Sequence, residues 1–248
     1  MNAPPEGLYF IAGGTGGIGS EVARRLRTMG SNVALAARGE PRLDATAQAL
    51  GTRSFAMDAT SSSDVSRTFQ AVVGDDSRLI GMVNCIGTIL LKPAHLTSDE
   101  EWITTVNTNL TSSFLLLRES SRRMMNSGGG SIVLCSTVAA GRGLFNHDAL
   151  AAAKAGVEGL TRSAAATYAR YGIRVNCVAP GLVQTPLSHF LTSNEAVSKS
   201  SKAMHPLGKL GEPGDVASAI CWLLSPEQSW VTGQVLHVDG GMSTVQAR

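Results

Sequence analysis

Seven short apolar runs, most of them followed by a longer stretch with helical spacing, leave this chain few folds to adopt. The runs are LYFIA (8–12), NVALAA (32–37), RSFAM (53–57), LIGMVN (79–84), SIVLCS (131–136), RVNCVA (174–179) and QVLHV (234–238). They are continuously apolar rather than alternating, so they read as strands covered on both faces. The segments near 17–29, 41–50, 63–73, 99–125, 148–171 and 215–224 carry helical spacing. Strand and helix in alternation predict a parallel sheet with right-handed crossovers. The expected fold is therefore α/β: a doubly wound, seven-stranded parallel sheet with helices on both faces. At 248 residues and 43% hydrophobic content, the chain fills one such domain over 1–248 with no linker.

Charge and cysteine usage narrow the function classes. The formal net charge is only +2 and the basic residues are scattered, so no nucleic-acid partner is expected. Cys85, Cys135, Cys177 and Cys221 lie singly inside apolar runs, without the close pairing of metal ligands. They read as buried free thiols in a reducing compartment, with no metal site. The opening MNAPPEG has no basic region ahead of an apolar core, and no run approaches the roughly 18 apolar residues of a membrane span. A cytoplasmic protein with no membrane partner is expected. NSGGGS (126–131) reads as a helix stop before a strand. The stretch 181–212 is the one long irregular connection, and its length marks it as a lid over a site.

The loop IAGGTGGIGSEVARRL (11–26) follows the first strand and opens the first helix. Gly13, Gly17 and Gly19 allow a tight turn and a close approach to a pyrophosphate, whose charge the helix start favours. Turns and helix packing also use glycine; the position between strand one and helix one is what points to a dinucleotide. The spacing Gly-x-x-x-Gly-x-Gly resembles that of the short-chain dehydrogenase/reductase family. The resemblance spans nearly the whole chain. Asn84-Cys85-Ile86-Gly87 is similar to the family's Asn-Asn-Ala-Gly element, Asn109 to its helix-four asparagine, Pro180-Gly181 to its Pro-Gly, and VTGQVLHVDGG (231–241) to its last strand. Ala12, Cys85 and Ile86 depart from the pattern. The resemblance implies a Rossmann-type fold that holds a nicotinamide cofactor through Gly13, Thr15, Gly17, Ile18, Gly19, Asp58, Ala59, Asn84, Gly87, Lys154, Pro180, Gly181 and Val183. Asp58 can equally cap the turn that follows it. At the end of strand two, Ala37 is neutral and Arg38 is a forked cation suited to a 2′-phosphate, which favours NADP(H) over NAD(H).

The stretch NHDALAAAKAGVEGL (146–160) holds the main anomaly. In the family a tyrosine four residues before a lysine gives the proton that accompanies hydride transfer, while a serine steadies the substrate oxygen. Positions i and i+4 share a helix face, so an ammonium there favours the phenolate. By resemblance Lys154 is that lysine, Asn109 the proton-relay asparagine, and Thr137, with its neighbour Ser136, the hydroxyl. The tyrosine position holds Leu150, which has no proton to give. Tyr168 and Tyr171 lie too far along the helix to substitute. His147 stands seven residues before Lys154, where bacterial enoyl reductases of the same superfamily place their tyrosine, and an imidazole can donate near neutral pH. The plainer account makes His147 and Asp148 polar residues of a loop-to-helix junction, with Asn146 or Asp148 capping the helix. His95, His189, His205 and His237 are dispersed and read as surface or lid. Asp99-Glu100-Glu101 reads as acid favoured at a helix start.

Three readings follow. The first is an NADP(H)-dependent reductase or dehydrogenase acting on a carbonyl or alcohol of a small molecule, with an altered proton donor built from Asn109, Ser136, Thr137, His147 and Lys154. The second is an enoyl-type reductase. The third is a catalytically silent NADPH-binding sensor or regulatory subunit. The small and apolar residues of 99–125 and 148–171 exceed what one sheet face covers, which predicts a homo-oligomer, and by family habit a tetramer.

Overall fold

The computed structural model describes residues 6–73 and 78–246. The reading of the amino-terminal segment thus lies partly outside the described residues. The seven predicted strands form one parallel sheet: β1 (Leu8–Ala12), β2 (Asn32–Ala37), β3 (Arg53–Ala56), β4 (Leu79–Asn84), β5 (Gly130–Cys135), β6 (Ile173–Pro180) and β7 (Val235–Val238), in the order β3-β2-β1-β4-β5-β6-β7. The order reverses between β1 and β4. In a doubly wound sheet a crevice opens there, at the carboxyl ends of the strands.

Helices cover both faces. On one side α1 (Gly17–Thr28), α2 (Glu40–Leu50) and α9 (Pro213–Leu224) pack over Ile11, Leu35, Val83 and Val133. On the other, α3 (Ser62–Val73), α5 (Ser112–Met125) and α6 (Asp148–Tyr168) pack over Phe10, Met82, Ile132 and Val175. Between them in sequence come α4 (Asp99–Val106), α7 (His189–Thr192) and α8 (Glu195–Met204). α1 shows why these segments are helical: Val22, Ala23 and Leu26 recur at helical spacing and are buried, while Arg24 and Thr28 face solvent. Each large aliphatic side chain so buried contributes about 1.5–3 kcal/mol.

Three predicted elements differ. The segment 99–125 is not one helix: a π-helical turn at Asn107–Thr111 separates α4 from α5. The predicted 148–171 helix ends in a 3-10 turn at Ala169–Tyr171. The stretch 181–212 is not irregular, because α7 and α8 lie within it, and Asn194 caps α8 by accepting from the Val197 N–H at 3.1 Å. This segment is pinned at its neck, where Gln184 N–H donates to the Gly211 carbonyl at 2.8 Å and Gly211 N–H to that of Leu182 at 3.0 Å. No helix among the described residues is long and apolar enough to cross a membrane.

Candidate functional site

A cavity of about 580 Å³ lies at the carboxyl ends of β4, β5 and β6, beneath α7 and α8. Of the predicted residues it gathers Ile18, Gly87, Asn109, Ser136, Thr137, His147, Lys154, Pro180, Gly181 and Val183 into one wall. Leu150 lines it too, buried one helical turn before Lys154.

The glycine loop approaches from the β1 side. Gly13 holds a φ of +78°, and a Cβ on Gly19 would stand 2.3 Å from the Gly13 carbonyl oxygen, so the turn closes only with glycine at both positions. Gly16 begins α1 with no side-chain cap, and the first turn carries no acid. The amides of Gly17, Ile18 and Gly19 therefore present an uncapped, positive helix end, which suits a pyrophosphate. Thr15 lies in the same loop, and Gly17 abuts Thr185 at the start of the 181–212 stretch.

Asn109 owes its position to the π-helical turn, a feature that recurs at functional sites. It is fully buried. Its Oδ1 accepts from the Thr88 N–H at 3.1 Å, and its Nδ2 donates to Thr88 Oγ1 and the Thr105 carbonyl, both at 3.0 Å. Lys154, from α6, donates from Nζ to the Cys135 carbonyl at 2.8 Å. A Cβ on Gly87 would lie 3.1 Å from Asn109 Oδ1 and 3.5 Å from Lys154 Nζ, so the amide and the ammonium converge over the Gly87 backbone. Burial pulls the Lys154 pKa below the ordinary lysine value, an effect that the neighbouring thiols partly oppose.

Ser136 and Thr137 separate in role. Ser136 Oγ donates to Glu158 Oε1 at 2.8 Å, with the Lys154 carbonyl at 3.3 Å, so its proton is engaged. Thr137 Oγ1 only accepts a long contact of 3.4 Å from the Ala139 N–H, which leaves its O–H free to donate. His147 sits at the N-cap position of α6 without a side-chain cap. Neither proposed neighbour caps the helix. Asp148 Oδ2 accepts from the Ala94 N–H at 2.7 Å, and Asn146 adopts the left-handed conformation with φ +62°. His147 Nδ1 lies 2.7 Å from the Phe145 carbonyl, so Nδ1 carries the hydrogen in that contact and Nε2 is the remaining site for an exchangeable proton.

Other predicted residues stand outside the cavity. Asn84 is buried and committed to the fold, donating to Ser113 Oγ and accepting from the Ile86 N–H, both at 2.9 Å. It shapes the 85–87 turn. Ala59 is a core residue. Arg38 and Asp58 are exposed at the ends of β2 and β3, joined there by the Met57 N–H to Ala37 carbonyl bond of 3.0 Å. Asp58 caps its own turn through Thr60, whose N–H and hydroxyl hold its carboxyl below the usual range, with Arg38 adding to the effect.

Sequence reasoning missed three features. His205 is buried rather than at the surface: Nδ1 meets the Ser201 carbonyl at 2.6 Å, and Nε2 accepts from the Leu182 N–H at 3.3 Å. Thr88 and Glu158, which hold Asn109 and Ser136, carry no sequence signal of their own. The cysteines are not all isolated either, because the β4–β5 register brings Cys85 and Cys135 together on the cavity wall. His95 and His189 are exposed.

A family model described as enoyl-(acyl carrier protein) reductase matches residues 12–243. The chain is 32% identical over 240 residues to a 3-oxoacyl-(acyl-carrier-protein) reductase of Vibrio harveyi, covering 96% of this chain and 98% of that protein. It is 36% identical over 246 residues to a cis-4-hydroxycyclohexanecarboxylate dehydrogenase of Sinomonas cyclohexanicum, covering 97% and 98%. Among solved structures, a short-chain type dehydrogenase/reductase from Mycobacterium ulcerans superposes with a TM-score of 0.94 at 32% identity, over 99% of this chain and 93% of that one.

Proposed function

Since the chain belongs to the short-chain dehydrogenase/reductase family, we propose that it is an NADP(H)-dependent oxidoreductase acting on a carbonyl or alcohol carbon of an apolar small molecule, with Leu150 in place of the family's tyrosine and His147 as proton donor. The observation that carries this reading is the convergence of Lys154 Nζ and the Asn109 amide over Gly87, in a cavity that Thr137 and His147 also line. The uncapped start of α1 fits a dinucleotide pyrophosphate, and the exposed Arg38 suits a 2′-phosphate. When bound, the cofactor supplies or accepts the hydride.

The protein's own groups then do the following. Lys154 holds the nicotinamide ribose, and its charge favours a developing oxyanion. Thr137 donates a hydrogen bond from its free hydroxyl to that oxygen, while Ser136 stays tied to Glu158. His147 delivers a proton from Nε2, its Nδ1 anchored on Phe145. Ile89, Leu91, Leu144, Leu191, Val197 and Met204 exclude water and accept the apolar body of the substrate. Alkene reduction is the second reading, favoured by Leu150 itself, since a proton destined for carbon does not require a tyrosine beside Lys154. The exposed Trp102, Ile103 and Phe114 on α4 and α5 support a homotetramer; a monomer by light scattering at micromolar concentration overturns that part.

The test is NADPH turnover on matched apolar ketones and enoyl compounds by the wild type, H147A and L150Y, with titration of both cofactors into the wild type and R38D. H147A is expected to lower kcat by about 10²–10⁴ with NADPH affinity intact. L150Y is expected to crowd the site and lower the native activity. NADPH should bind tenfold to a hundredfold more tightly than NADH, about what one or two charge-assisted hydrogen bonds supply, and R38D should erase the difference. Activity unchanged in H147A removes His147 from the mechanism, and equal affinities in the wild type remove the NADP(H) assignment. NADPH binding with no turnover of either class leaves a silent cofactor-binding protein.

A further inference from the structure

Cys85 and Cys135 are distant in the chain and neighbours in the sheet. β4 and β5 run parallel, with Val83 opposite Val133 and Asn84 opposite Leu134. The next step of that register sets Cys85 beside Cys135, and because side chains alternate in step along parallel neighbours, both return to the face of Val83 and Val133. Both pack against the α1–α9 layer, and both line the cavity. Adjacent strands lie about 4.8 Å apart, within the Cα separation of about 4.4–6.8 Å that a disulfide accepts. Cys177 is buried in the opposite core layer and Cys221 sits on α9, and neither lines the cavity.

The two thiols differ in character. The neighbouring Cys85 thiol, assisted by the Lys154 charge, holds Cys135 below the ordinary thiol pKa, whereas the Cys135 sulfur and burial hold Cys85 above it. That difference favours attack by the Cys135 sulfur, with the Cys85 thiol beside it to close the bridge.

We propose that Cys85 and Cys135 form a dithiol site that reacts with small peroxides and closes to a disulfide in the wall of the cavity. The Cys135 sulfur attacks one peroxide oxygen, the O–O bond breaks, and the departing oxygen leaves as water or alcohol with the Cys135 proton. The resulting sulfenic acid is attacked by the Cys85 sulfur: the S–S bond forms, the S–O bond breaks, and the hydroxide leaves as water with the Cys85 proton. Each sulfur loses one electron overall, and the peroxide gains two. The pairing rests on the placement of the thiols and holds whether or not the proposed oxidoreductase activity does.

The test is a thiol count in denaturant on the reduced 248-residue chain before and after hydrogen peroxide, joined to a non-reducing peptide map. The count is expected to fall from four free cysteines to two and to return with dithiothreitol, and the map is expected to hold one cross-linked pair, Cys85 with Cys135. In C85S, Cys135 should stop at the sulfenic acid and be trapped by dimedone. Four thiols surviving a tenfold excess of peroxide, a bridge to Cys177 or Cys221, or dimedone labelling of Cys85 in C135S each overturns the proposal. The wild-type map decides it even if neither variant folds.

Discussion

Helices α1 and α4 begin in opposite ways. At α4, Ser98 Oγ accepts from the Glu101 N–H at 3.2 Å, Glu101 Oε2 accepts from the Ser98 N–H at 2.9 Å, and Asp99, Glu100 and Glu101 fill the first turn. That helix start is satisfied by its own side chains. At α1 the N-cap is Gly16, no side chain caps, and no acid enters the first turn. α6 is similar in part: His147 begins it without capping it, on the cavity wall. The start of α4 is completed from within, whereas the start of α1 is left bare by glycine, as the proposed pyrophosphate requires.

The strongest way to break that contrast is Gly19→Ala. The new Cβ would stand 2.3 Å from a backbone oxygen, Gly13 O, and no rotamer relieves it. Overpacking of this kind costs about 1–3 kcal/mol of stability. The displaced loop should also weaken NADPH by on the order of a hundredfold, about 2.7 kcal/mol. Urea unfolding and cofactor titration on the same variant check both. An unaltered affinity would mean that the bare start of α1 is not where the cofactor sits.

Ser98→Ala probes the other member of the pair. Loss of an N-cap serine costs about 1 kcal/mol. Here it leaves the Glu101 N–H without its acceptor, while the Glu101 carboxylate keeps the residue-98 N–H at 2.9 Å and Lys92 at 2.8 Å. Stability should fall by about that amount while NADPH affinity stays within error of the wild type. A matching loss of affinity would show that α4 is coupled to the site and would erase the distinction between the two helix starts.

What could be read in advance follows the same division. The strands came within a residue or two of their observed ends, because continuous apolar runs leave parallel strands no alternative burial. The glycine loop was readable because it depends on backbone, and backbone demands are written as glycine. Side-chain pairing was not. Asn84 binds Ser113 rather than lining the cavity, and Cys85 meets Cys135, because register joins residues that the sequence separates. The π-helical turn under Asn109 has no compositional mark. The few apolar residues of SNEAVSKSSKAMH hide α8 in the sequence; the one available cue is Asn194, three residues before Val197. Thr137 could be told from Ser136 only once Glu158 was placed.

The smallest effect concerns the acid that α1 does possess. Glu21 lies one turn beyond the bare start, and its carboxylate takes two bonds of 2.7 Å from Arg24 and one of 2.9 Å from Arg25. The Arg24 hydrogen bond is the main reason its pKa falls to about 2. A carboxyl depressed by folding contributes stability above its unfolded pKa, about 4.3, and loses that contribution as pH falls toward the folded value. Arg24 is 55% exposed, so solvent screening keeps the contribution small. Wild type and E21Q should therefore differ slightly at pH 7 and converge between pH 5 and pH 2, with added salt shrinking the gap at neutral pH. The same pair sharpens the view of the helix start: if the arginines confine the Glu21 charge, E21Q changes NADPH affinity less than about twofold, under roughly 0.4 kcal/mol. A gap in stability that widens on acidification would overturn the ion-pair account, and a large gain in affinity would show that Glu21 opposes the anion at α1 despite its partners.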